Sequence, residues 1–355
     1  MDVVRFNKIF DRIVDNVNTV IHGKDDVVRL SMVAICAGGH ILFEDVPGVG
    51  KSVLARALGQ SMQADWSRVQ CTPDMLPGDI TGSSVIDTKT MKFNFRPGPV
   101  FANVLLVDEI NRATPKTQSA LLEAMAEKSV TIDATTYRLP APFMVLATQN
   151  PVELAGTFPL PEAQLDRFLF KLTIGYPDYE AERAVIRGNA VDLEVDSLEA
   201  VIGTQDILDM IRLAAEVVIP TAVESYILDI THATRAENAL TLGAGPRASI
   251  AMAKASKVMA AADGRSQVYP EDVRALLRPV LGHRIMLTPD AVLRGETIDN
   301  ILERVVSRIK APLGVRGAGE TSELPKTNGH SNGNGNGTSK RKPRVAASRR
   351  GRGAA

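Results

Sequence analysis

The chain is poor in cysteine and aromatics: two cysteines, Cys36 and Cys71, one tryptophan, and an aromatic share of 5% over 355 residues. Two thiols cannot form a disulfide framework, and neither stands at a ligand spacing from the five histidines. A bridge-stapled or zinc-stapled fold is therefore excluded, and a reduced, cytoplasmic setting is expected. Long apolar runs are missing too. The longest, MVAICAGG (32–39), stops far short of the roughly 20 residues that span a bilayer, so no membrane span is expected. The start, MDVVRFNKIFDRIVDNV, carries an early Asp2 and a helical apolar period (Val4, Ile9, Ile13, Val17), which argues against a signal peptide. There is no G-x-S-x-G elbow, histidine-rich cluster, dinucleotide G-x-G-x-x-G or internal repeat. Serine hydrolase, zinc enzyme and dehydrogenase readings have no residues to rest on.

Net charge is absent as well, since 41 basic residues balance 41 acidic ones, but the balance is uneven along the chain. Nine Lys and Arg against two Glu fall in 312–355, which leaves 32 basic and 39 acidic residues in 1–311. The tail KTNGHSNGNGNGTSKRKPRVAASRRGRGAA is Gly/Asn-rich and then cationic, with too little apolar surface to offset its ordering entropy; disorder is expected. Its seven positive charges in SKRKPRVAASRRGRG suit either solubility or salt-sensitive attachment to nucleic acid. Without aromatics in the tail, base stacking is not expected.

What is present alternates. ILF (41–43) leads through a glycine loop into a helix from Ser52 to about Met62, and apolar runs recur at VLLV (104–107) and FMVLAT (143–148) with the helical TPKTQSALLEAMAEKS between them. Buried parallel strands separated by helices describe an α/β sheet wrapped on both faces. SSVIDTKTMKFNFRPGPV (83–100) and VTIDATTYRLPAP (130–142) interrupt it as inserted hairpins. From residue 179 to about 311 only helical patterns follow, YEAERAVIRGNA among them. The expected division is an α/β core over 1–177, a smaller all-α lid over 178–311, and the tail over 312–355.

FEDVPGVGKSVLARAL (43–58) carries the chemistry. A strand-to-helix turn aims successive N–H groups and the positive helix end at a phosphate. Gly48 and Gly50 clear the approach, Lys51 suits the β- and γ-phosphates, and Ser52 offers a hydroxyl to Mg²⁺. Pro47, Gly48, Val49, Gly50, Lys51, Ser52 and Val53 are the expected nucleotide-binding residues. Asp45 stands where such loops usually have their first glycine, a position that Asp tolerates in turn geometry. In NVLLVDEINRA (103–113), four apolar residues end in two acids at a strand tip: Asp108 suits Mg²⁺ and Glu109 suits the attacking water. A third strand ends at Asn150, whose amide can serve both the γ-phosphate and that water, or can simply turn the chain before Pro151.

VPGVGKS, LLVDEINRATPKTQSALLEAMAE, LATQNP, GTFPLPEAQLDRF and GAGPRAS, in that order, resemble the MoxR family of AAA+ ATPases over roughly residues 8 to 310. The resemblance implies an AAA+ P-loop core and a helical lid, with ATP and Mg²⁺ as cofactors held between subunits of a ring of six. By the same resemblance Arg167 is the finger that reaches a neighbour's γ-phosphate, the alternative being an ion pair with Asp166 or Glu162. Arg247 is the second sensor, touching phosphate in its own chain, and Arg112 a lesser candidate at the subunit boundary. The two hairpins would face the ring channel, and a von Willebrand factor A domain protein is the implied partner, acting with the ATPase on an unidentified client. The implied activity is ATP hydrolysis driving remodelling or assembly. Two alternatives stay open: a subunit resembling the magnesium chelatase ATPase, and an ATP-switched nucleic-acid regulator using the tail.

Overall fold

A computed structural model describes residues 1–45, 48–89, 91–150, 156–176, 179, 182–183, 195 and 197–312. Pro47, the helical pattern expected over most of 179–190, and the tail from residue 313 lie outside the described residues.

The chain opens with α1 (Val3–Asn18) and α2 (Asp25–Cys36), enters β1 (Ile41–Glu44), and crosses the glycine loop into α3 (Lys51–Ser61). β2 (Trp66–Gln70) and α4 (Pro77–Thr81) precede a hairpin of β3 (Gly82–Asp87) and β4 (Lys92–Pro97). Then come β5 (Val104–Asp108), α5 (Pro115–Glu127), a second hairpin of β6 (Ser129–Ile132) and β7 (Thr135–Arg138), β8 (Met144–Gln149), α6 (Glu162–Leu165) and β9 (Phe170–Leu172). Further on lie α7 (Thr204–Glu216), α8 (Thr221–Arg235), β10 (Leu240–Leu242), α9 (Pro246–Ala262), α10 (Pro270–Ala275), α11 (Leu277–Leu281), β11 (Met286–Leu287), α12 (Pro289–Leu293) and α13 (Ile298–Ser307).

The central sheet runs β2-β5-β8-β1-β9, with every neighbouring pair parallel. Its strands alternate with period two, as a sheet covered on both faces requires. Ile41, Phe43, Leu106, Leu146 and Phe170 face one apolar cluster, which also takes Phe6 of α1, Met32 of α2 and Leu54 of α3. Leu42, Leu105, Val107 and Val145 face the other, built on Leu121, Leu122 and Met125 of α5. Ile207 of α7 and Met252 of α9 join the first cluster, so the helical part shares apolar core with α1 to α3.

The local reasons are visible in the caps. Asp2 accepts from Arg5 N at 2.7 Å and starts α1, which buries Phe6, Ile9, Phe10, Ile13, Val14 and Val17 on one stripe. Val4, expected in that stripe, is exposed because it falls off the face. α2 stops where Gly38 takes a left-handed φ of 64°. A side chain at Gly39 would meet Leu169 at 2.6 Å, so the chain packs there without one. Both hairpins are antiparallel ladders, as expected. The helical part also carries a short antiparallel ladder, Leu240 opposite Leu287, that its helical patterns did not announce. Among the described residues no helix is long and apolar enough to cross a membrane.

Candidate active site

Because β1, β5 and β8 are parallel, their C-terminal ends reach one edge of the sheet, where open α/β sheets hold ligands. Register sets the alignment: Glu44 lies opposite Gln149, and Gln70 opposite Asp108. The glycine loop, the acids after β5 and the amide after β8 are thereby gathered around one cleft of about 350 Å³.

Gly48 and Gly50 have left-handed φ of 84° and 89°, conformations that favour glycine and that let the loop turn directly into α3. The N-cap of α3 is Gly50, which has no side chain with which to cap the helix, so the loop presents a helix start of the kind that receives anions. Gly48, Gly50, Lys51, Ser52 and Val53 line the cleft, whereas Val49 packs toward the core. Lys51 donates to the Asp45 carbonyl at 3.2 Å. Burial pushes its ammonium down from the ordinary lysine value, while Asp45, Asp108 and Glu109 pull it back up.

Asp108, Glu109 and Asn150 line the same cleft. Thr148 organises the acids: it accepts from Glu109 N at 2.9 Å and donates to Asp108 Oδ1 at 3.2 Å. Glu109 sits in left-handed backbone (φ 54°), a sparsely populated state for a side-chain-bearing residue and one that clusters at functional sites. Arg112 donates to its carboxylate at 3.0 Å. Arg68 of β2 holds the other oxygen of Asp108 at 2.7 Å and also lines the cleft. A guanidinium there marks a position that takes positive charge. With the Ser52 hydroxyl on the same cleft, the site has the sparse hard-oxygen donor set that suits magnesium sharing its remaining positions with phosphates and water. Neither thiol competes as a nucleophile, since burial pushes both Cys36 and Cys71 up to about 12.

Arg167 and Arg247 are not at this cleft. They line a second one, of about 400 Å³, that shares no residue with the first. Arg167 donates to the Leu122 carbonyl. Arg247 lies 3.8 Å from Asp166. The structure thus places Arg247 beside Arg167 and Asp166 rather than among the residues that line the glycine-loop cleft. Asp166 pairs with Arg284 at 2.7 Å and with Arg247, in place of the ion pair considered for Arg167. Arg284 went unnoticed in the sequence. Lys128 and Lys254 join the three arginines there and outnumber Glu127 and Asp166, which leaves a cationic rim.

Residues 40–170 match the family described as ATPase family associated with various cellular activities, and residues 232–305 match the AAA lid domain. The chain is 46% identical over 305 residues to the uncharacterized protein YeaC of Bacillus subtilis, covering 86% of this chain and 95% of that one. It is 38% identical over 311 residues to chaperone MoxR1 of Mycobacterium tuberculosis, covering 85% and 82%. A crystal structure from Cytophaga hutchinsonii, described there as a candidate ATPase, superposes with a TM-score of 0.82 at 37% identity, covering 87% of this chain and 97% of that one.

Proposed function

Because the chain belongs to the MoxR family of AAA+ ATPases, we propose that it hydrolyses Mg-ATP between the subunits of a six-membered ring and acts as a chaperone-like remodelling or assembly factor in the cytoplasm. One observation carries the reading: Lys51, Asp108, Glu109 and Asn150, from three separate strand ends, line a single cleft. In it the α3 N-terminus and Lys51 bind the phosphates. Ser52 and Asp108 would hold magnesium, which when bound neutralises phosphate charge. Glu109 takes the proton of the attacking water, and Asn150 orients that water through its amide. Burial works against the Lys51 charge, and Asp45, Asp108 and Glu109 work for it.

The shared second cleft supports a trans role for both arginines. Arg167 and Arg247 belong to the same cationic rim, away from their own loop; both would serve the neighbouring subunit's triphosphate, where a finger contributes about 10³ to 10⁵ in rate. Residues 1–177 act as the core and 178–311 as the lid, with the 312–355 tail outside the chemistry. The β3–β4 hairpin suits client contact, for Met91 and Phe93 are each 72% exposed near its tip. A von Willebrand factor A domain protein is the proposed partner. The decisive experiment mixes Arg167→Ala with Glu109→Gln. Each alone should bind Mg-ATP and turn over slowly, and mixtures should regain activity at interfaces that pair an intact finger with an intact water-activating acid. Absence of recovery at every ratio refutes the intersubunit assignment.

A further inference from the structure

Asp45, which replaces the usual first glycine of a phosphate loop, is 5% exposed and uses its polar groups in three directions. Its N–H donates to the Gln149 carbonyl at the β8 tip at 3.1 Å, and its carbonyl accepts from Lys51 Nζ at 3.2 Å. Its carboxylate turns away from the cleft. There it accepts from the successive backbone N–H groups of Ile174 and Gly175, the latter at 3.1 Å. These two amides follow β9 and lead out of the sheet, with Gly175 at a left-handed φ of 69°. Lys24 holds the next carbonyl, Tyr176 O, at 2.8 Å.

A desolvated carboxylate is costly without donors, and two converging N–H groups offset that cost. Glycine has no side chain with which to make this connection. Glu44, one residue earlier, runs parallel to it: its carboxylate takes Lys171 of β9 at 2.6 Å and Gln149 of β8 at 2.7 Å. The end of β1 is thus tied on both sides, and Asp45 touches the loop lysine and the exit segment together.

We propose that Asp45 is a positioning residue that couples the nucleotide loop to residues 174–176, so that occupancy of the loop is transmitted to the segment leading into the helical part. The coupling rests on the ATP reading above; the contact itself does not. A shift of the Lys51 side of the loop on phosphate binding moves the Asp45 backbone, and its carboxylate carries the two amides with it, which is a differential contact of the kind coupling requires.

Amide hydrogen exchange of the full chain, read on overlapping peptides spanning 168–176, tests both parts. Without nucleotide, Asp45→Gly should speed exchange at 174 and 175 about ten- to hundredfold, the loss expected for hydrogen bonds to a charged acceptor. With a non-hydrolysable ATP analogue and magnesium, the wild type should slow at 174–176. Asp45→Gly should bind the analogue within about threefold of wild type and leave exchange there unchanged, as expected when coupling rather than binding is lost. Exchange within twofold of wild type in the free variant, or an undiminished response to the analogue, overturns the proposal. Loss of analogue binding in the variant overturns it too, because Asp45 would then belong to the phosphate grip itself. If the wild type binds no analogue, the ATP reading fails while the nucleotide-free comparison still decides the contact. Asp45→Asn, which keeps the volume and one acceptor oxygen, should fall between the two, and carries the same comparison should the glycine variant not fold.

Discussion

Removing Arg284 should destabilise the protein more than any other single arginine change at the second cleft. Its side chain is 4% exposed and fully engaged. Nε donates to Asp166 Oδ1 at 2.7 Å, Nη2 to the Phe168 carbonyl at 2.6 Å and the Asp166 carbonyl at 3.3 Å, and Nη1 to the Leu169 carbonyl at 3.1 Å and the Val280 carbonyl. Arg284→Ala therefore leaves a carboxylate and several carbonyls without their donor. Breaking one side of a buried pair costs about 3–5 kcal/mol. Asp166 retains 26% exposure, and His283 still serves the Phe168 carbonyl at 3.0 Å, so the lower end, about 3 kcal/mol, is expected. In a chain of this size that is a fall in Tm of roughly 4–5 °C. Arg284→Lys keeps the charge but not the planar fork, and should recover about half of the loss. Thermal scans and urea titrations read by two probes would measure it. A loss below about 1 kcal/mol in Arg284→Ala, or a lysine variant as stable as wild type, would refute the claim that the fork pins the Asp166–Leu169 segment.

Two further outcomes are expected. Lys51→Ala should weaken a fluorescent ATP analogue by at least about tenfold, the loss of one charge-assisted contact; unchanged affinity in a titration would remove Lys51 from the phosphate site. Stability should fall on acidification from pH 7.5 to 5.5. Burial pushes His40 down to about 4, and it pushes His283 well below its ordinary value, helped by Arg284. Both are neutral in the folded protein at neutral pH, so the unfolded chain binds more protons below about pH 6.5 and stability declines as pH drops through that window. Each group should cost about 1 kcal/mol by pH 5.5. A urea midpoint flat across that range would contradict their burial as neutral rings.

The gathering of the glycine loop and the two acids at one cleft was legible because its requirements are local. A four-residue apolar run that ends in carboxylates can hardly avoid putting Asp108 at a strand tip once the sheet is parallel, and glycines at positive φ are the residues a loop entering a helix needs. β2 was not legible. It is an edge strand with only Val69 buried, so WSRVQ has no apolar run, and the arginine that faces Asp108 is hidden in it. β9 is three residues long and, although it lies in the apolar stretch FLFKLTI (168–174), it is too short to stand out as a strand. Thr148 left a trace, a lone hydroxyl at the end of an apolar strand, but its two partners lie 39 and 40 residues earlier.

The same distinction explains why Arg247 and Asp45 resisted reading. A motif can say that an arginine starts a helix, but where that arginine lies depends on how α9 packs, through Ala248, Ala251 and Met252, into a core shared with α1 and α2. Here the packing takes Arg247 to the cationic rim with Arg167. Asp45 likewise looked like a tolerated turn residue, since local geometry asks only that the position accept a turn. Its amide partners are 129 and 130 positions away, at the exit from the sheet. Arg284 reaches back 118 positions to Asp166. In this chain short-range pattern accounts for groups that line the glycine-loop cleft, while groups that join the loop, the cationic rim and the helical part to one another are contacts between distant segments. Under the proposed function those are the groups through which a change at the loop would be felt elsewhere, and they become visible only when the strands are in register.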